Sequence, residues 1–268
     1  MSVVFVASEA VPFCKTGGLA DVAGSLPKAL AASGETVSLF VPLHRDARRR
    51  AGKCRVVARL KVPLGPHTVE ADVRRAEAGG VTAYLVDFPA FFDRPGVYGE
   101  DGRDYPDNAE RFAFFARAVL EACLALKLDP EVLHLHDWQT GLVPIFLKTA
   151  YQGAPGLSRA RTLFTIHNLA YQGLFPKEVM GAVGLPWTEF TAESLEFYGQ
   201  VSYLKAGLAH ADLLSTVSET YAREIQTPEF GAGLDGLLRR RTSDLHGVRN
   251  GLDLESWDPS SDEELPRT

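Results

Sequence analysis

Short runs of β-branched and apolar residues alternate along the chain with longer stretches of helical period, the pattern of parallel strands joined by crossover helices. The runs Val3–Ala7, Thr36–Val41, Val132–His136, Arg161–Ile166 and Leu213–Val217 predict strands. Between them the spacing predicts helices over Leu19–Ala32, Asn108–Leu126, Thr140–Tyr151 and Val201–Ala211, with another opening near Ser218. One stretch breaks the alternation. Arg55–Val62, Val69–Arg75 and Val81–Val86 read as three short strands divided by Gly/Pro turns with no helix between them. The expected fold is therefore α/β: a Rossmann-like, doubly wound, mainly parallel sheet with a short antiparallel excursion. Phe88 to Asn108, rich in Gly, Asp, Tyr and Pro, is too long for an ordinary connector and reads as either a functional loop or a mobile one.

Composition narrows the function classes. The 268 residues are 46% apolar and 23% charged, enough to bury a sizeable core. A formal net charge of −6 argues against a nucleic-acid or anionic-membrane partner, since both require a dense basic face. The basic run Arg48-Arg49-Arg50 reads as a solvated helix or loop end. Cys14, Cys54 and Cys123 are far apart and lack C-x-x-C spacing, so they suggest neither a disulfide framework nor a zinc site and fit a reducing cytoplasm. Glu9 interrupts the apolar N-terminus before a signal-peptide core could form. After Asn250 the chain turns acidic, which predicts a domain over residues 1–255 and a linker over 256–268 leading to a domain not included in the sequence.

Three constellations could carry chemistry. Lys15-Thr16-Gly17-Gly18-Leu19-Ala20-Asp21-Val22 follows the first strand and opens the first helix, where free backbone N–H groups can meet a phosphate; spacing alone equally allows a plain tight turn beside a surface lysine. His134-Leu135-His136-Asp137-Trp138 ends a predicted strand, with alternation placing both histidines on one face. His167-Asn168 and Tyr171-Gln172-Gly173 end another. A histidine in a sheet is commonly just a hydrogen-bonded core residue, but polar groups gathered at successive strand ends favour a site. Zinc at His134 and His136 lacks an H-E-x-x-H pattern or a nearby cysteine. A dinucleotide fingerprint is missing too, because the glycines run Gly17, Gly18, Gly24 and the second strand ends Phe40-Val41-Pro42 without an acidic residue.

These stretches, with Asp104-Tyr105-Pro106-Asp107-Asn108, Leu204-Lys205-Ala206-Gly207, Thr216-Val217-Ser218 and Asn250-Gly251-Leu252-Asp253, resemble the bacterial glycogen synthases and plant starch synthases in order along the chain. Those are retaining glycosyltransferases of the two-domain GT-B architecture, and the resemblance is to their N-terminal half. It implies transfer of glucose from ADP-glucose to the non-reducing end of an α-1,4-glucan, with no metal and no separate cofactor. It also implies that Lys15, Gly17 and Gly18 approach the diphosphate and that Asp21, Tyr98, Asp137, His167, Asn168 and Asn250 line the cleft. His167 and Asp137 are the candidate catalytic residues, His167 standing nearest the transferred glucose. Gln139 departs from the family, which usually has a histidine there; an amide can hydrogen-bond but cannot titrate. The resemblance further implies a C-terminal GT-B domain as partner, without which the chain is expected to have little activity. The alternative reading is a non-catalytic glucan-binding or regulatory module.

Overall fold

The structure is a computed structural model that describes residues 1–253 and 257–260. Its main sheet has nine strands: β1 (Ser2–Val6), β2 (Thr36–Pro42), β3 (Arg55–Leu64), β4 (His67–Ala78), β5 (Val81–Asp87), β6 (Val132–His136), β7 (Arg161–Ile166), β8 (Leu213–Thr216) and β9 (Leu245–Gly247). Their spatial order is β9-β8-β7-β6-β1-β2-β5-β4-β3. All neighbours from β9 to β5 are parallel, and only β4 runs antiparallel to both of its neighbours.

The central strands are covered on both faces, which is why β1 reads as an unbroken apolar run from Val3 to Val6. Alternation along β1 sends Val4 and Val6 into one core with Phe112, Leu133 and Leu135. Val3 and Phe5 enter the other, with Leu39, Val41 and Leu85. The helix Asn108–Leu126 coincides with its predicted span and ends at Lys127, whose φ is 53°. Phe112, Phe114, Phe115 and Val119 are all buried, because the helix packs against β3 as well as against its neighbouring helices.

The antiparallel excursion is a β3–β4 hairpin that extends the main sheet, and its strands are longer than expected. Residues Val81–Val86, expected as the third strand of the excursion, form β5, which pairs antiparallel with β4 and on its other edge re-enters the sheet parallel to β2. The turn before it uses Gly79 and Gly80 at φ +56° and +82°, the conformation that a two-residue hairpin turn requires. The helix expected over Thr140–Tyr151 is shorter: a 3-10 turn spans Trp138–Thr140 and a helix spans Val143–Lys148. The helix expected from Val201 begins at Tyr203, preceded by a short strand, Gln200–Ser202, that pairs with Leu174–Pro176 and Glu196–Phe197. The helix opening near Ser218 is present, with the Ser218 hydroxyl accepting from the Tyr221 amide at 2.9 Å.

The segment between Phe88 and Asn108 is pinned to the body of the protein. Arg111 is fully buried and donates to the Phe91 carbonyl at 2.8 Å, the Val97 carbonyl at 3.0 Å and Asn108 Oδ1 at 2.6 Å. Burial lowers its pKa to about 10. Arg94 adds an ion pair to Asp107 at 2.6 Å. Of the arginine run expected to be solvated, Arg48 instead bonds the buried Asp87, which Arg74 also holds at 2.6 Å. Most of the linker expected over 256–268 lies outside the described residues. No helix among the described residues is long and apolar enough to cross a membrane.

Candidate functional site

The chain leaves β1 toward β2 on one side of the sheet, while β6 flanks β1 on the other. This reversal opens a crevice at the carboxyl ends of β1 and β6, the usual place for a ligand in a doubly wound sheet.

From β6 comes Asp137, at φ 56° and ψ −177°, a conformation that costs a non-glycine residue about 1–3 kcal/mol. Its carboxylate accepts from the His167 amide at 2.8 Å, which ties the end of β6 to the end of β7. Burial pushes the Asp137 carboxyl up to about 7, with the amides of His167 and Asn168 pulling it down and the Glu9 carboxylate raising it. His167 Nε2 and His136 Nδ1 share a hydrogen bond of 2.9 Å. Burial lowers His167 to about 4, and drives fully buried His136 well below the usual histidine range with help from its histidine neighbours. His134 and His136 lie on one face, as alternation requires, with ring centroids 4.2 Å apart. His134 is spent on a structural relay: Nε2 lies 2.8 Å from Thr165 Oγ1, which lies 2.7 Å from Ser215 Oγ. Among the described residues, no group of three or more His, Cys, Asp or Glu could hold a metal ion.

From β1 comes a second set, centred on Glu9, which the sequence did not single out. Glu9 is 3% exposed and accepts from the Thr16 amide, from Thr16 Oγ1 at 2.8 Å, and from Tyr98 Oη at 3.1 Å. The Gly17 amide approaches it at 3.4 Å. Tyr98 Oη also meets Ser8 Oγ at 2.7 Å, and the Ser8 carbonyl lies 3.0 Å from His44 Nε2. Glu9 thus shapes the loop before the first helix and draws Tyr98 into the crevice. The one available signal was its position, a carboxylate just past the end of the first strand, where a surface residue would look the same.

Trp138 forms the floor beside these groups, packed edge-to-face on Phe112 at 4.9 Å and near Tyr98 at 6.5 Å. Gly173, at φ +59°, presses on its indole so closely that a Cβ there would lie 2.4 Å from Cε3. Tyr203 closes the base: its hydroxyl donates to the Ala109 carbonyl at 3.0 Å and its amide to the Gly173 carbonyl at 3.1 Å. Its own carbonyl lies against Gly141, where an added Cβ would come within 1.9 Å. Gln139 and Gln172 are both buried, each with an unpartnered Oε1.

The expected site residues thus do not form a single cluster. Asp137, His167 and Asn168 come together, while Tyr98 and Gly17 gather on Glu9, whose charge raises the Asp137 carboxyl. Lys15 and Asp21 pair with each other at 2.7 Å. They line a cleft of about 710 Å³ with Ser25, Lys28 and Arg50, and neither Asp137 nor His167 lines it. Gly17 and Gly18 face open space. Asn250 is exposed beyond the end of β9, three residues before Asp253, which lines that cleft and pairs with Lys28 at 3.8 Å.

A family model described as the starch synthase catalytic domain matches residues 2–240. The glycogen synthase of Anaeromyxobacter dehalogenans (strain 2CP-C) is 53% identical over 267 residues, covering 99% of this chain and 55% of that protein. The glycogen synthase of Koribacter versatilis is 47% identical, covering 98% and 54% respectively. The chain therefore spans about half the length of the curated relatives it matches. Among solved structures, the catalytic domain of starch synthase IV from Arabidopsis thaliana, bound to ADP and acarbose, superposes with a TM-score of 0.86 at 30% identity, covering 97% of this chain and 54% of that one.

Proposed function

Because this chain belongs to the starch synthase catalytic domain family, we propose that it forms one wall of a site for glucosyl transfer from ADP-glucose to the non-reducing end of an α-1,4-glucan, with retention of configuration. Residues 1–255 act as one domain of that enzyme. The curated relatives are about twice as long as this chain. Transfer belongs to the two halves together, since one open wall neither excludes water nor holds a donor in reacting geometry.

The observation that carries the reading is the union of His167 and Asp137 at the β1–β6 crevice, next to a loop shaped by Glu9 at the N-terminus of a 15-residue helix. As the diphosphate leaves, an oxocarbenium-like centre develops on the glucose. The Gly18 amide, the helix N-terminus and the Lys15 ammonium suit the leaving charge, with Gly17 forming the turn that presents them. A neutral His167 suits a sugar hydroxyl, and Asp137 holds the His167 main chain in place. Tyr98, Asn168, Asp21 and Asn250 supply polar contacts along donor and acceptor. The starch synthase of similar fold was solved with ADP and acarbose, which supports an adenine nucleotide on the donor side.

Calorimetric titration with ADP-glucose and with maltoheptaose, alongside incorporation of labelled glucose into glycogen, tests this. ADP-glucose binds, Lys15→Ala weakens it about 10- to 100-fold, the loss of a charge-assisted hydrogen bond, and the chain alone incorporates little glucose. Binding of maltoheptaose with no response to ADP-glucose would instead identify a glucan-binding module. Incorporation by the rigorously purified chain would show a site complete without a second half.

A further inference from the structure

We propose that His136 is a positioning residue that fixes the tautomer of His167, so that His167 meets its ligand with an Nδ1–H donor.

Two proton arrangements fit the 2.9 Å contact between His136 Nδ1 and His167 Nε2 with both rings neutral. In the first, His136 Nδ1–H donates, His167 carries its proton on Nδ1, and His136 Nε2 is a bare lone pair. In the second, His167 Nε2–H donates, His136 carries its proton on Nε2, and His167 Nδ1 is a bare lone pair. The surroundings of His136 Nε2 separate them. That atom is buried without a hydrogen-bond partner, in a side chain with no exposed surface.

The second arrangement therefore leaves an N–H donor stranded in the core, and the first only an unused acceptor. Orphaned buried N–H groups are the rarer of the two in folded proteins. Nor can an aromatic face rescue the donor. The Phe5 ring stacks on His136 at 4.1 Å with the planes only 27° apart, so a hydrogen in the imidazole plane runs along that face rather than into it.

His167 Nδ1, unlike His136 Nε2, is not among the buried unpartnered atoms. It is the nitrogen left for a ligand, and the first arrangement places a proton on it. His167 is then a donor to an oxygen such as a sugar hydroxyl or a phosphate and does not abstract a proton. The role toward a sugar nucleotide rests on the proposed function; the tautomer does not. The backbone reinforces the geometry, since the His167 amide is held by Asp137 at 2.8 Å.

Long-range proton–nitrogen correlation spectra of the 15N-labelled chain near pH 7.5 read the tautomer directly. The His167 pattern is expected to be Nδ1-protonated with Nε2 bare, and the His136 pattern to be the same. In His136→Asn, whose amide can donate from nearly the same place, His167 keeps its pattern. In His136→Asp, whose carboxylate can only accept from that place, His167 gains a proton on Nε2. A wild-type His167 protonated on Nε2 overturns the proposal, and so does a His167 Nε2 still bare in a folded His136→Asp variant. If His136→Asp fails to fold, the wild-type spectrum still decides. Adding ADP-glucose to the same sample keeps the two claims apart: a His167 Nδ1-protonated in its absence and indifferent to its addition leaves the tautomer standing and counts against the proposed donor.

Discussion

Asp137→Asn separates stability from function at the strand ends. Burial raises the Asp137 carboxyl from 3.8 to about 7, so between those values the folded protein binds a proton that the unfolded chain has already lost. Stability then falls as pH rises through this interval and levels off above it. A shift of about three units corresponds at most to ~4 kcal/mol, at 1.36 kcal/mol per unit. Asparagine removes that penalty and retains one acceptor oxygen for the two amides of His167 and Asn168. The amide less well served costs ~1–2 kcal/mol. The variant should therefore be more stable than the wild type by ~2–3 kcal/mol at pH 8, and the order should reverse near pH 4. Urea unfolding of both proteins at each pH unit from 4 to 8 measures the difference. A gap that stays constant across the range would refute the reasoning, because it would mean that Asp137 is ionised throughout. The same substitution should abolish any ADP-glucose response without harming the fold, the exchange expected where a site is held in a conformation the fold alone would not choose.

Arg111→Met leaves the carbonyls of Phe91 and Val97 and the side chain of Asn108 without their buried donor. It should lower stability by ~3–5 kcal/mol in urea unfolding and open the 93–107 segment to limited proteolysis. Gly173→Ala pushes a methyl into the Trp138 indole at a positive φ and should cost at least ~2 kcal/mol, with a shift in tryptophan emission. An unshifted spectrum at unchanged stability would mean that the indole has room to move.

The frame of the sheet was legible because buried parallel strands need continuous apolar runs, which Val3–Val6 supplies, and because Val132–His136 keeps an apolar residue at every other position. What escaped was set by contacts distant in sequence. Leu245–Gly247 is a three-residue strand that exists only because β8 offers it an edge. Thr140–Tyr151 kept its apolar period, yet the backbone at Gly141 is drawn against Tyr203 and the regular helix starts only at Val143. In the site, Asp137 and His167 stood out as polar residues at strand ends, and the structure brings them together. Lys15, Asp21, Tyr98 and Asn250 were placed in one cleft only by resemblance, and of these the structure gathers Tyr98 on Glu9 and pairs Lys15 with Asp21. Glu9 was invisible because its burial depends on Tyr98, 89 residues away along the chain.

Tyr203 touches the helix after the long loop, the turn after β6, the loop after β7 and, through its ring, both Trp138 and Phe175. Breathing of one of these segments would have to break the same few bonds that hold the others. The loops bearing Asp137 and His167 should open as a single event, and amides on both sides of the crevice should exchange their hydrogens with solvent at a common rate. A crevice that keeps time in this way meets its ligand either whole or not at all.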